Sequence, residues 1–316
     1  YNRIIGTIPD CWSGLTLLSE IHLDYNKLSG NLPLILSGMN ISTLYIQNNR
    51  LSGDITPLVN PSWPYMSTLN ISNNLFTSGI TSLSALTNMN SLDTNNNNFS
   101  GFTFFDISAF PSFYQLNISN CNLHGTMSAL STYYYMNSVD ISSNQFIGDI
   151  PTIPSYPTYG DWWFSTYQAY NNLFTGYTSM SGGRIPYNLN NINFSNNYLT
   201  SDAINRILAD VVTTTRTGGN LYLNGSYMNA PTGQGLIDAA SLRSRGWYVS
   251  ISLPASTILL TTNKIGIFSI DLQGNDNIYI NWGDGGGVVT VPLNGQGLVN
   301  KTHSYSTSGH TITITN

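Results

Sequence analysis

Two apolar residues separated by one polar residue, with asparagine three positions after the second, recur along the first 230 residues. The pattern reads IHLDYN at 21–26, LYIQNN at 44–49, LNISNN at 69–74, LDTNNN at 92–97, LNISNC at 116–121 and VDISSN at 139–144. Looser copies follow as YQAYNN at 167–172, INFSNN at 192–197 and LYLNGS at 221–226. Apolar residues two apart share one face, as a half-buried strand requires. The asparagine that follows carries both donor and acceptor, so it can satisfy backbone groups opened by the turn. These landmark positions are Asn2, Asn26, Asn49, Asn74, Asn97, Cys121, Asn144, Asn172, Asn197 and finally Ser226, spaced 23 to 29 residues apart. Cys121 keeps a weak donor in a small buried site.

This register is L-x-x-L-x-L-x-x-N/C-x-L at a period of 20–29 residues, and the chain resembles the leucine-rich-repeat family. The resemblance implies an α/β-type solenoid with a parallel β-sheet on its concave face and few helices. Endings of the form G-x-I-P, at Gly6–Pro9 and Gly148–Pro151, and with Leu32 at Gly30–Pro33, are similar to the extracellular plant-type class and to some bacterial proteins. Cys11 and Cys121 fall four to five coils apart, or roughly 20 Å at strand spacing. A disulfide needs Cα atoms within ~7 Å, so two free thiols are expected.

Between Asn144 and Asn172 the period swells to 28 residues around PTIPSYPTYGDWWFSTY at 151–167. This insertion reads as a convex loop whose Trp162, Trp163 and Phe164 fill space under the coil. The alternative is an exposed aromatic platform for a sugar or a partner. After Asn197, SDAINRILADVV has helical spacing with Ser201 as N-cap. LYLNGSYM is then the last strand, and GLIDAASLRSRGW a second short helix stopped by Gly246. The stretch NAPTGQGLIDAASLRSRGWYV is similar to the closing segments of bacterial and phage repeat proteins. An open solenoid needs such a cap over its last apolar coil. The solenoid is therefore assigned to 1–250, with its cap at about 201–250.

Strict alternation takes over in IFSIDL, NIYINW, GVVTVPL and HTITITN, which predicts a small all-β sandwich over 251–316, expected to be truncated at its final strand. NIYINWGDGGG and HSYSTSGHTITIT resemble the polycystic-kidney-disease type of β-sandwich through Trp282, Gly283, Asp284, Gly285, His303, Tyr305 and Gly309. The segment before Gly-Asp is shortened, and His310 stands where that family has a second aromatic. The resemblance implies a tight turn at Asp284–Gly285, a core of Trp282 and Tyr305, and a spacer role.

Only 8 % of the residues are charged, ten Lys and Arg against fifteen Asp and Glu, for a net charge of −5. Such a balance gives no basic footprint for nucleic acid. No apolar run approaches the ~20 residues of a spanning helix. Motifs for nucleophilic, phosphate or metal chemistry are absent from the sequence, and Glu20 is the only glutamate. Neither a cofactor, a metal nor a catalytic residue is assigned, and the chain is read as non-enzymatic.

The strand positions that face outward carry the expected ligand site: His22, Asp24, Tyr45, Gln47, Asn70, Asp93, Asn95, Asn117, Asp140, Gln168, Tyr170, Asn193 and Tyr222. They form a nearly uncharged field of amides, hydroxyls and rings, suited to a protein or a neutral glycan on a cell surface. The function expected is an extracellular recognition or adhesion module within a longer surface or fibre protein. A bacteriophage tail-fibre receptor-binding protein, a self-associating filament subunit and an accessory part of a hydrolase are the alternatives.

Overall fold

The computed structural model describes residues 2–12, 14–15, 17–34, 36, 39–59, 65–104, 106, 110, 112–128, 130, 136–152, 164–179, 185–252, 258–262, 266–272, 277–292, 299–307 and 309–315. Ten short strands form one parallel sheet in chain order: Glu20–His22, Thr43–Tyr45, Thr68–Asn70, Ser91–Asp93, Gln115–Asn117, Ser138–Asp140, Thr166–Gln168, Asn191–Asn193, Gly219–Leu223 and Trp247–Ile251. The central residue of each inner strand and the residue two further on turn inward. Leu44 and Ile46, Leu69 and Ile71, and Val139 and Ile141 are all at most 1% exposed. At the swollen repeat the pair becomes Tyr167 and Ala169, large beside small. The Tyr167 hydroxyl donates to the Pro151 carbonyl at 2.8 Å, so the buried phenol is satisfied. Phe164 is buried beside it, whereas Trp162 and Trp163 lie outside the described residues.

Each landmark asparagine ties successive coils together. Asn74 Oδ1 accepts the Leu51 N–H at 3.0 Å, and its Nδ2 donates to the carbonyls of Ile46, Ile71 and Ser72 at 2.9, 3.1 and 3.2 Å. Asn49, Asn97, Asn144, Asn172 and Asn197 repeat this scheme. The residue before each landmark is left-handed: Tyr25, Asn48, Asn73, Asn96, Asn120, Ser143, Asn171 and Asn196 have φ between 51° and 56°. Asparagine tolerates that region better than most residues, which explains the Asn-Asn doublets.

Beyond the landmarks lies a second set of parallel strands that the sequence did not foretell. One sheet joins Ile5–Gly6, Lys27–Gly30, Arg50–Asp54 and Leu75–Ser78; another joins His124–Gly125, Gln145–Ile150 and Leu173–Tyr177. Gly53, at φ 82°, shows why the repeat needs glycine here: a Cβ would also lie 2.6 Å from Asn31 Oδ1. The two sheets are interrupted at the coil preceding Cys121. A thiol is a weak acceptor, and the Phe99 N–H goes to the Cys121 backbone carbonyl at 2.9 Å instead of to a landmark side chain. Cys121 Sγ donates to the Thr94 carbonyl at 3.1 Å.

Both cysteines are free, Cys11 exposed and Cys121 buried, and burial pushes the Cys121 thiol up to about 11. At pH 8 one thiol per chain is expected to react promptly with a disulfide reagent, and the second only after denaturation. Prompt reaction of both thiols in the native protein contradicts this placement of Cys121.

Two helices complete the cap, α1 at Ser201–Val212 and α2 at Gln234–Ser244. Thr200, not Ser201, is the N-cap of α1: its Oγ1 accepts the Ala203 N–H at 3.2 Å. The shift of one residue arises because threonine and serine are adjacent and both can cap. Gly246, at φ 80°, follows α2 as expected. The strand at Gly219–Leu223 is not the last. Trp247–Ile251 pairs beyond it in parallel, Leu221 opposite Val249, because WYVSI again alternates once α2 has returned the chain to the sheet edge.

The C-terminal strands are antiparallel. Ile258–Thr262, His310–Thr315, Asn277–Asn281 and Val288–Pro292 form one sheet; Gly266–Leu272 and Val299–Tyr305 form another. They enclose a separate core that includes Ile280, Trp282, Val291, Tyr305 and Ile312. The Tyr305 hydroxyl donates to the Trp282 carbonyl at 2.8 Å, and His303 stacks on Trp282 at 4.9 Å. Asp284 Oδ1 accepts the Gly286 N–H at 3.0 Å, and Oδ2 lies 2.6 Å from His303 Nε2. The Gly286 N–H and then His303 hold the Asp284 carboxyl below the usual carboxylate range. Asp284 thus closes a turn, and Trp282 and Tyr305 pack the core.

Candidate functional site

The outward positions of the ten-stranded sheet stand in three columns, not two. The expected residues fill the second column (His22, Tyr45, Asn70, Asp93, Asn117, Asp140, Gln168, Asn193, Tyr222) and, with Asp24, Gln47, Asn95 and Tyr170, part of the third. The first column holds Glu20, Thr43, Thr68, Ser91, Gln115, Ser138, Thr166, Asn191, Asn220 and Tyr248. Its signal was available in the sequence, since each member precedes a buried strand residue by one position.

In the middle of the sheet the second and third columns bind each other. Asn70 Oδ1 accepts both the backbone N–H and the hydroxyl of Ser72, at 3.1 and 2.7 Å. Asn117 with Ser119, Asp140 with Ser142, and Asn193 with Ser195 make the same staple. Asp93 Oδ1 accepts from the Asn95 N–H and Nδ2 at 3.1 and 2.6 Å. Burial pushes the Asp93 carboxyl up, the Asn95 bonds pull it back, and the charge of Asp140 adds to the rise. These side chains therefore brace their own strand ends and present a stiff polar floor.

The staple is missing toward both ends, where rings gather. His22 lies 4.9 Å from the Tyr45 ring, with Nε2 3.4 Å from Glu20 Oε2. At the other end Tyr222 lies 5.3 Å from Tyr248, whose side chain is 57% exposed. Gln168 and Tyr170 interrupt the staples one strand further in, between Asp140–Ser142 and Asn193–Ser195. Tyr248 escaped the sequence reading because its strand did. The three columns contain Glu20, Asp24, Asp93 and Asp140 and no Lys or Arg. Among the described residues no group of three or more His, Cys, Asp or Glu side chains could hold a metal ion, and no helix is long and apolar enough to cross a membrane.

No protein-family model and no curated protein sequence matches the chain. Solved structures do. The plant peptide hormone receptor RGFR1 in complex with RGF2 matches at 19% identity and TM-score 0.53, over 79% of this chain and 42% of the receptor. The repeat ectodomain of the Arabidopsis receptor kinase HAESA, in complex with an extended IDA peptide hormone, matches at 25% identity and TM-score 0.50, over 63% of this chain and 37% of that one. A plant ice-binding protein matches at 17% identity and TM-score 0.50, over 79% of this chain and 81% of that one. The chain thus spans less than half the length of the two receptors. Its landmark ladder, its in-register parallel sheet and these neighbours together make its fold a leucine-rich-repeat solenoid.

Proposed function

We propose that the chain is a non-enzymatic extracellular recognition module that binds a protein or peptide partner across the ten-stranded sheet. The observation that carries this reading is the division of that sheet into a braced polar floor and two unbraced aromatic ends. A preorganised floor loses little freedom on binding. Tyrosine offers large contact area and a polar tip at little conformational cost. Four acids with no Lys or Arg favour a partner segment with basic and aromatic side chains. The HAESA ectodomain, which is solved with a peptide, supports the reading by its fold.

Panning a random peptide display library against the purified chain tests it. Enriched peptides are expected to weaken about tenfold or more when Tyr45→Ala, Tyr170→Ala and Tyr248→Ala are combined, as for aromatic anchors. Failure to enrich any peptide, or peptides indifferent to these changes, refutes the reading.

A second reading is favoured by the hydroxyl row of the first column. Thr43, Thr68, Ser91, Ser138 and Thr166 stand on in-register strands, broken only by Gln115. A neutral row repeating at about 4.8 Å is a template for ordered water, and the fold is shared with a plant ice-binding protein. Thermal hysteresis of the purified chain, abolished by Thr68→Lys, decides for it; its absence decides against.

A further inference from the structure

The side chains just before and just after the landmarks point outward at the turn edge, between the ten-stranded sheet and the second strands. Before the landmarks runs an amide ladder: Asn96 Nδ2 donates to Asn73 Oδ1 at 2.8 Å, and Asn120 Nδ2 donates to Asn96 Oδ1 at 2.7 Å. Past Ser143 it resumes, with Asn196 Nδ2 donating to Asn171 Oδ1 at 3.0 Å. The left-handed backbone accounts for asparagine in this ladder. In the ladder after the landmarks it accounts for Asn122 alone, at φ 57°.

That second column reads Arg3, Lys27, Arg50, Leu75, Asn98, Asn122, Gln145, Leu173, Tyr198 and Tyr227. It is basic at one end, amide in the middle and aromatic at the other. The middle three are also joined: Asn122 Nδ2 donates to Asn98 Oδ1 at 3.1 Å, and Gln145 Nε2 donates to Asn122 Oδ1. Asn98 and Gln145 keep ordinary backbone angles, so no conformational need selects an amide there.

Between the two ladders lies a groove of about 710 Å³, floored by Asn74, Asn97 and Asn144 and lined by no ionisable side chain. It opens where the second strands are interrupted before Cys121. A second hollow of about 290 Å³ adjoins it, sharing Asn144 and ending on Tyr198 and Tyr227. Those two rings stack at 4.8 Å and 13°, yet remain 42% and 67% exposed. Stacking two tyrosines while leaving them in water makes a flat apolar platform with polar tips.

We propose that this trough binds a linear neutral oligosaccharide, a site separate from the ten-stranded sheet. Paired amides offer a donor and an acceptor side by side, which suits vicinal hydroxyls. The coils repeat them at about 4.8 Å, so successive sugar units meet equivalent groups. The absence of charge in the lining selects against uronic acids, whose carboxylates would lose hydration without a counter-charge. The Tyr198–Tyr227 platform takes the apolar face of a terminal pyranose ring.

Isothermal titration of the purified chain with cellohexaose, laminarihexaose and mannohexaose, and with hexagalacturonate as the charged comparator, tests the site. At least one neutral hexasaccharide is expected to bind and hexagalacturonate is not. Asn98→Ala combined with Gln145→Ala, and separately Tyr227→Ala, are expected to weaken binding about tenfold or more, a loss of about 1.4 kcal/mol. Tyr227→Phe restores it. Because these side chains are exposed, the variants keep the parent melting temperature. Combining Tyr45→Ala with Tyr248→Ala on the sheet leaves sugar binding unchanged, so this test and that of the peptide site fail independently. Absence of binding by all three neutral sugars, equal binding of hexagalacturonate, or parent-like titration of the trough variants overturns the proposal.

Discussion

Replacing Asn144 by alanine is expected to destabilise the solenoid by about 4 kcal/mol, near the upper end for a single substitution. Asn144 is 8% exposed and sits at the middle of the stack. Its Oδ1 accepts from the N–H groups of Cys121 and Leu123 at 3.1 and 3.0 Å. Its Nδ2 donates to the carbonyls of Ile118, Ile141 and Ser142 at 2.9, 3.2 and 3.1 Å. Alanine leaves these backbone groups without their partner, in a place that water reaches poorly. An unsatisfied buried group costs about 1–3 kcal/mol, and some relax onto neighbours. The position matters as much as the sum. In a solenoid each coil touches only its neighbours, so a break in the middle uncouples the halves. Urea unfolding followed by circular dichroism is expected to change from one transition to two. A single transition displaced by less than about 1 kcal/mol contradicts the bonding described.

The same landmark shows what the sequence could and could not reveal. The inward pairs such as Leu69 and Ile71 were legible because burial imposes a period of two, and the period of the whole repeat because every coil needs one amide. Cys121 was legible as a landmark, but not its consequence. Only the structure shows Phe99 bonding to a backbone carbonyl there and the second strands stopping. Those second strands, such as Lys27–Gly30 and Arg50–Asp54, lack alternation and contain left-handed glycine, so no strand signal survives in KLSG or RLSGD. In the doublet Asn96-Asn97 the landmark was legible, but not that the residue before it is left-handed, at φ 55°. The sheet columns were legible by position but not by state. Nothing in the words LNIS or VDIS says that Asn70 and Asp140 are already bonded to Ser72 and Ser142. Tyr248 was hidden because the helices of the cap break the repeat spacing before its strand. Tyr198 and Tyr227 were hidden because stacking joins residues from different coils.

Replacing Trp247 by alanine is expected to cost about 3–5 kcal/mol as well, with a different outcome. Trp247 is 3% exposed, and its ring lies so close to Gly219 that a Cβ there would come within 2.7 Å of it. Its Nε1 donates to the Arg216 carbonyl at 3.3 Å, which pins the strand leading into the penultimate coil. The preceding Arg245 ties the same corner to α1, its Nη2 donating to the Val212 carbonyl at 2.9 Å and Nη1 to the Thr214 carbonyl. Loss of the indole therefore empties the joint between α1, α2 and the last two strands of the sheet. Because this joint lies at the end of the stack, opening it separates no coils on both sides. Unfolding is expected to stay local: amides of 219–223 and 234–251 lose hydrogen-exchange protection, while those of 43–45 and 68–70 keep theirs. Gly219→Ala should reproduce the effect from the opposite side, since the added methyl must displace the same ring. Uniform loss of protection along the whole chain in either variant shows instead that the solenoid unfolds as one unit, and that the cap is part of a single cooperative core.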